Sequence, residues 1–132
     1  SLIEINFEKA HNILTFWSTT GLVIVAPSVP QWLLQTIYNV AGSEEFEGRV
    51  LFQVYWAKPC EKFSSLIKEE IWKELVEEKE EEVRWKEGKI LVVPIPMGNL
   101  DPIILNENPS KEEVKNFEDF LKSFFRYIAV SA

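Results

Sequence analysis

The apolar positions of the chain change their spacing along its length, from consecutive or alternating runs to repeats of three and four, and each change marks a predicted element. Leu2, Ile3, Ile5 and Phe7 open as a strand, and from Glu8 the residues Ala10, Ile13, Leu14 and Trp17 keep helical spacing until Gly21 offers a stop. Residues 22–26 (Leu-Val-Ile-Val-Ala) are apolar without a break, the mark of a strand covered on both faces, so this one is predicted to be central. Pro27, Ser28, Val29 and Pro30 then turn the chain. Ser28 is placed to cap a helix and Pro30 to sit in its first turn, with Trp32, Leu33, Ile37 and Val40 as the buried stripe and Gly42 as its end. Residues 49–56, rich in β-branched and aromatic side chains, read as a strand beside the first central one.

Beyond Lys58, Pro59 and Cys60, the residues Phe63, Leu66, Ile67, Ile71, Trp72, Leu75 and Val76 hold helical spacing and predict a long amphipathic helix. The acidic residues 77–82 close it, although negative charge at a helix C-terminus opposes the macrodipole and predicts fraying. Residues 83–85 and 90–93 flank a turn containing Gly88, a β-hairpin signal. Pro94 and Pro96 argue against a central strand there, and residues 94–108 read as irregular apart from a short extended piece at 103–105. Ser110 followed three residues later by Glu113 is a capping box, opening a final helix with Val114, Phe117, Leu121, Phe124, Phe125 and Ile128 as its apolar stripe. No repeat, linker or composition shift divides the chain, and a single domain over residues 1–132 is expected.

Composition narrows the class of molecule. With 46% hydrophobic and 13% aromatic residues, the chain has enough apolar surface for a continuous core without disulfides or a structural metal. A net charge of -7 and the lack of a dense basic cluster argue against a nucleic-acid partner. No apolar run approaches the roughly 20 residues of a membrane span. No basic region followed by an apolar stretch opens the chain, so a cytoplasmic location is expected. Cys60 is the single cysteine, which rules out an internal disulfide and fits a reducing compartment. With a single histidine as well, no zinc site of the Cys and His type can form within one chain, and no cofactor or metal is expected. Isolated glycines make no phosphate loop or dinucleotide fingerprint. Abundant Glu and Lys with scarce Cys, Met and Gln is a bias reported for hyperthermophilic proteins.

The resulting order, β-α-β-α-β-α-β-β-α, resembles the thioredoxin-like superfamily over most of the chain. The resemblance is sharpest at residues 45–59, at the turn of residues 86–88 and at the start of the Ser110 helix. It implies an α/β, three-layer fold with a central mixed sheet flanked by helices. In thioredoxins the redox Cys-x-x-Cys follows the central strand at a helix N-terminus, where the dipole lowers a thiol pKa. Here that place reads Pro27, Ser28, Val29, Pro30 and Gln31, with Ser28 and Gln31 on the cysteine positions, or one residue displaced, and no thiol under either pairing. The proline that shapes the family's substrate groove is also missing before residue 83. The resemblance therefore implies a divergent, redox-inactive member that binds a protein partner, as an assembly factor or chaperone, through Pro27, Ser28, Val29, Pro30, Gln31 and Trp32. A homodimer is one form such a partnership takes.

Other residue types open further chemistries. Cys60, flanked by Lys58 and Lys62 at the start of the predicted third helix, has the setting of a reactive thiol, which gives the alternative of a thiol-dependent redox protein or sensor. The plainer reading is a small residue half-buried at a strand-to-helix junction. His11, near Glu8, has the pKa range of an acid or base, with Ser18, Thr19 and Ser28 as distant nucleophile candidates, or else it packs on its helix. Glu69, Glu70, Glu74, Glu77 and Glu78 could share a helical face as a cation site, but interleaved Lys68, Lys73 and Lys79 suggest a salt-bridged, solvated surface. Trp32 and the Pro-Ile-Pro-Met segment at 94–97 have the composition of a protein-binding patch, or they complete the core.

Overall fold

A computed structural model describes residues 20–96, 98 and 100–130 in full and residues 2–5 through their backbone. The described elements are β1 (Leu2–Ile5), β2 (Gly21–Val25), α1 (Gln31–Ala41), β3 (Gln53–Ala57), a 3₁₀ turn (Glu61–Ser65), α2 (Glu69–Leu75), β4 (Val76–Lys79), β5 (Glu82–Trp85), β6 (Lys89–Ile95), β7 (Ile103–Asn106) and α3 (Lys111–Ile128). Five strands form a mixed sheet in the order β1-β3-β2-β6-β7. β1, β3 and β2 run parallel, while β6 adds antiparallel to β2 and β7 antiparallel to β6. β4 and β5 form a separate two-stranded antiparallel ribbon. No helix among the described residues is long and apolar enough to cross a membrane.

The two-residue alternation of the strands divides the core between the faces of the sheet. Leu22, Ile24, Val54, Ile90 and Val92 pack with Leu33 and Ile37 of α1 and with Phe117, Leu121, Phe124 and Phe125 of α3. Val23, Val25, Tyr55, Leu91, Val93 and Ile95 pack with Phe63, Trp72, Leu75 and Val76. β2 is buried throughout, as its unbroken apolar run predicts, and β3 lies beside it. Gly21 opens β2; a Cβ there would collide with the Gln53 carbonyl oxygen, so the close approach of β3 requires glycine. The helix predicted between Glu8 and Gly21, with His11, Ser18 and Thr19, lies outside the described residues.

α1 forms as predicted, but Ser28 does not cap it. Pro30 holds the N-cap position in extended conformation, with no side-chain cap bond. Gly42 ends the helix as expected, its amide donating to the Tyr38 carbonyl at 2.9 Å. In α3 the capping box is complete: the Glu113 amide donates to Ser110 Oγ at 3.1 Å, and the Ser110 amide donates to Glu113 Oε1 at 3.4 Å.

The long third helix does not form. The stretch divides into a 3₁₀ turn and the seven-residue α2, and Val76 leads directly into β4. The acidic residues after it are strand and turn, because antiparallel register sets Glu77 opposite Arg84 and Lys79 opposite Glu82, opposite charges that stabilise a sheet pair and spare the helix terminus its repulsion. Glu80 and Glu81, with φ of 48° and 69°, make the hairpin turn. The predicted hairpin between residues 83–85 and 90–93 is therefore displaced; the 86–88 turn joins strands of two different sheets. β5 alternates exposed and half-buried residues and suits a one-sided ribbon, whereas β6 is almost wholly buried and needs neighbours on both edges. Pro94, expected to exclude a central strand, lies within β6 opposite Leu22. The β7 ladder reaches only to Val92, so Pro94 sits where one edge of β6 is open, a position that tolerates a missing N–H.

Candidate functional site

Backbone and side-chain bonds fix the end of the central strand. The Ala26 amide donates to the Ala57 carbonyl at 3.2 Å, and the Trp56 indole N–H donates to the Ala26 carbonyl at 2.8 Å. From that anchored residue Pro27 and Ser28 project exposed, Val29 and Pro30 are half-buried, and Gln31 is exposed at the start of α1. A notch beside them, lined by Pro27, Ser28, Gly88, Lys89, Ile90 and Glu107, has a volume of only about 30 Å³, the room of about one water. A small-molecule substrate does not fit there, and any contact at this loop is made on its surface.

Trp32 is set apart from the loop by its bonds. Its indole N–H donates to the Glu107 carbonyl at 2.8 Å, and its ring meets Phe117 edge-on at 6.2 Å, so it clamps α1 to α3 and to the segment after β7. The Glu107 amide in turn donates to the Gly88 carbonyl at 2.7 Å, where Gly88 adopts φ 78°. Behind the notch Lys89 Nζ donates to Asn106 Oδ1 at 3.0 Å and Asn106 Nδ2 donates to Glu113 Oε2 at 2.6 Å. Those bonds, the Asn106 amide first and Ser110 after it, hold the Glu113 carboxyl below the usual carboxylate range. Sequence reasoning located Gly88 in a turn but did not bring it to this loop, and it gave Lys89, Asn106 and Glu107 no part in the site; the capping box located Glu113, but nothing in the spacing of the chain signals its bond to Asn106.

The second apolar segment, at 94–97, is not brought to this loop. Ile95 pairs with Gly21 at the start of β2, so the segment lies at the opposite end of the sheet from Pro27. Pro94 and Ile95 are buried, Pro96 is half-buried and follows the one cis peptide bond among the described residues, and Met97 lies outside them.

Cys60 is half-buried and precedes a five-residue 3₁₀ turn instead of the predicted long α-helix. It lies instead in the wall of a cavity of about 150 Å³ formed where the 3₁₀ turn, α2 and the β4–β5 ribbon meet. The five carboxylates considered as a cation site are divided between α2 and β4, and Glu69 pairs with Lys73 at 3.3 Å on an exposed surface. No cluster of three or more His, Cys, Asp or Glu among the described residues could hold a metal ion. Comparison with family models, curated proteins and solved structures returns no match to this chain.

Proposed function

We propose that the chain is a thioredoxin-like protein without the redox cysteines, acting by binding another protein through residues 27–31. A parallel strand triplet extended by two antiparallel strands, with a helix starting just beyond the carboxyl end of the central strand, supports that reading, since this is where the thioredoxin resemblance locates its active loop. The β4–β5 ribbon is an addition to that plan. The observation that carries the function is the exposure of Pro27 and Ser28 on an anchored backbone beside a notch too small for a substrate. Proline has no amide to satisfy and little entropy to lose on contact, which favours a rigid protein-binding knob. Trp32, bonded into the fold, belongs to the support of this surface and not to its contact face.

A photo-crosslinking residue at Ser28, compared with one at the exposed Ser123 on α3, tests the assignment in cells. A discrete adduct from position 28 alone is expected, and its mass distinguishes a second copy of this chain from a different protein. Equal adducts from both positions, or none from Ser28, would remove this surface.

A further inference from the structure

Two of the residues walling the cavity of about 150 Å³ are tryptophans, Trp72 from α2 and Trp85 from β5. Their ring centroids lie 6.1 Å apart with planes inclined by 65°, so the pair meets edge-on and forms two adjoining walls. Trp85 is fixed in place by its indole N–H, which donates to the Lys89 carbonyl at 2.8 Å. Val83 and Val76, the cross-strand partner of Trp85, add aliphatic surface. Glu61 supplies the one charge: Lys58, Lys62 and Lys86 are near in sequence, but no Lys or Arg is among the described lining residues. The adjoining ribbon and its turn carry five glutamates, Glu77, Glu78, Glu80, Glu81 and Glu82, against Lys79 and Arg84, and this net negative charge favours approach by a cation.

Aromatic walls, one carboxylate and aliphatic surface select among cations. A metal ion needs six or more oxygen ligands in the case of calcium, and the lining offers one carboxylate. A primary ammonium brings three N–H donors to satisfy. A quaternary ammonium has none; its charge lies beneath methyl groups that suit indole and valine surfaces, and tryptophan is the strongest aromatic partner for such a group. A cavity of this size holds about one benzene ring, similar in bulk to a trimethylammonium head, and its open side leaves the rest of the ligand in water. We infer that the cavity is a binding site for a methylated ammonium group, carried either by a free small molecule of the choline type or by a methylated lysine side chain. The site is independent of the loop at residues 27–31.

The test follows the assigned indole N–H signals of the full chain by NMR while choline, or its neutral isostere 3,3-dimethylbutan-1-ol, is added at constant ionic strength. Choline is expected to shift the Trp72 and Trp85 signals, leave those of Trp32 and Trp56 in place, and bind about tenfold more tightly than the isostere. Glu61→Gln, at an exposed position that does not threaten the fold, should weaken choline severalfold and leave the isostere unchanged. Trp85→Leu removes one aromatic wall and should abolish the preference for choline; if that variant does not fold, Glu61→Gln still decides. A trimethyllysine peptide that binds more tightly than choline, and far more tightly than its unmodified counterpart, would identify the source as a protein side chain; choline as the tighter ligand would identify a free small molecule. No shift at Trp72 and Trp85 with either cation, equal affinity for the neutral isostere, or a preference untouched by Glu61→Gln would overturn the assignment.

Discussion

The two faces of the sheet are packed by different means. One is covered by the eleven-residue α1 and the eighteen-residue α3, with Trp32 of α1 edge-on to Phe117 of α3 at 6.2 Å, and with Phe46 and Phe52 of the α1–β3 connection 5.5 Å and 4.9 Å from Phe125 of α3. The other meets, among the described elements, a 3₁₀ turn, a seven-residue helix and a ribbon, joined by an edge-on contact of Trp72 with Trp85 at 6.1 Å, and it leaves a cavity beside that pair. Long helices present continuous stripes that fill a face, while short elements meeting at angles leave gaps where side chains of fixed shape do not interlock. The well-filled face supplies stability, and the looser one supplies space.

Truncation on the first face should have the largest effect. Phe125→Ala is expected to cost about 3–5 kcal/mol in urea denaturation, whereas Val83→Ala, half-exposed beside a space already open, should cost less than about 1 kcal/mol. Equal costs would erase the contrast between the faces. Next comes the ribbon turn, where Glu80 and Glu81 occupy left-handed backbone that disfavours side chains. Replacing the pair with Asn-Gly should raise stability by about 1–2 kcal/mol, measured as a shift of the urea midpoint, and no shift would mean that the turn is held by other contacts. The smallest effect concerns pH. Because Glu113 is held below its ordinary pKa, its contribution is full above the usual carboxylate range and is lost as pH falls through the lowered value. Glu113→Gln should therefore flatten the acid side of the stability profile, and an unchanged acid slope would count against the Asn106 bond as its cause.

Legibility in the sequence follows the same division. The stripe of α3 and its capping box are local signals, complete within a few residues, and so is the uninterrupted run of β2. The ribbon is not local in this sense: residues 63–76 keep a helical period, and what breaks the helix is the pairing of Glu77 and Lys79 with Arg84 and Glu82, which only register reveals. Pro94 misled for a related reason, since a proline rule for central strands depends on how far the neighbouring ladder extends. At the candidate loop, position and exposure could be anticipated for Pro27 and Ser28. The bond that ties Trp32 into the fold could not, because its partner is a backbone carbonyl 75 residues away.

The ribbon's glutamates also bear on how two copies of the molecule meet. A two-stranded sheet leaves an unpaired backbone edge on each strand, and such edges readily pair with those of another chain. Glu77, Glu78, Glu80, Glu81 and Glu82 outnumber Lys79 and Arg84 in the ribbon and its turn, so a second ribbon would meet net negative charge. Those carboxylates act as a guard against edge-to-edge association, so replacing them with neutral side chains should turn the ribbon into an adhesive edge.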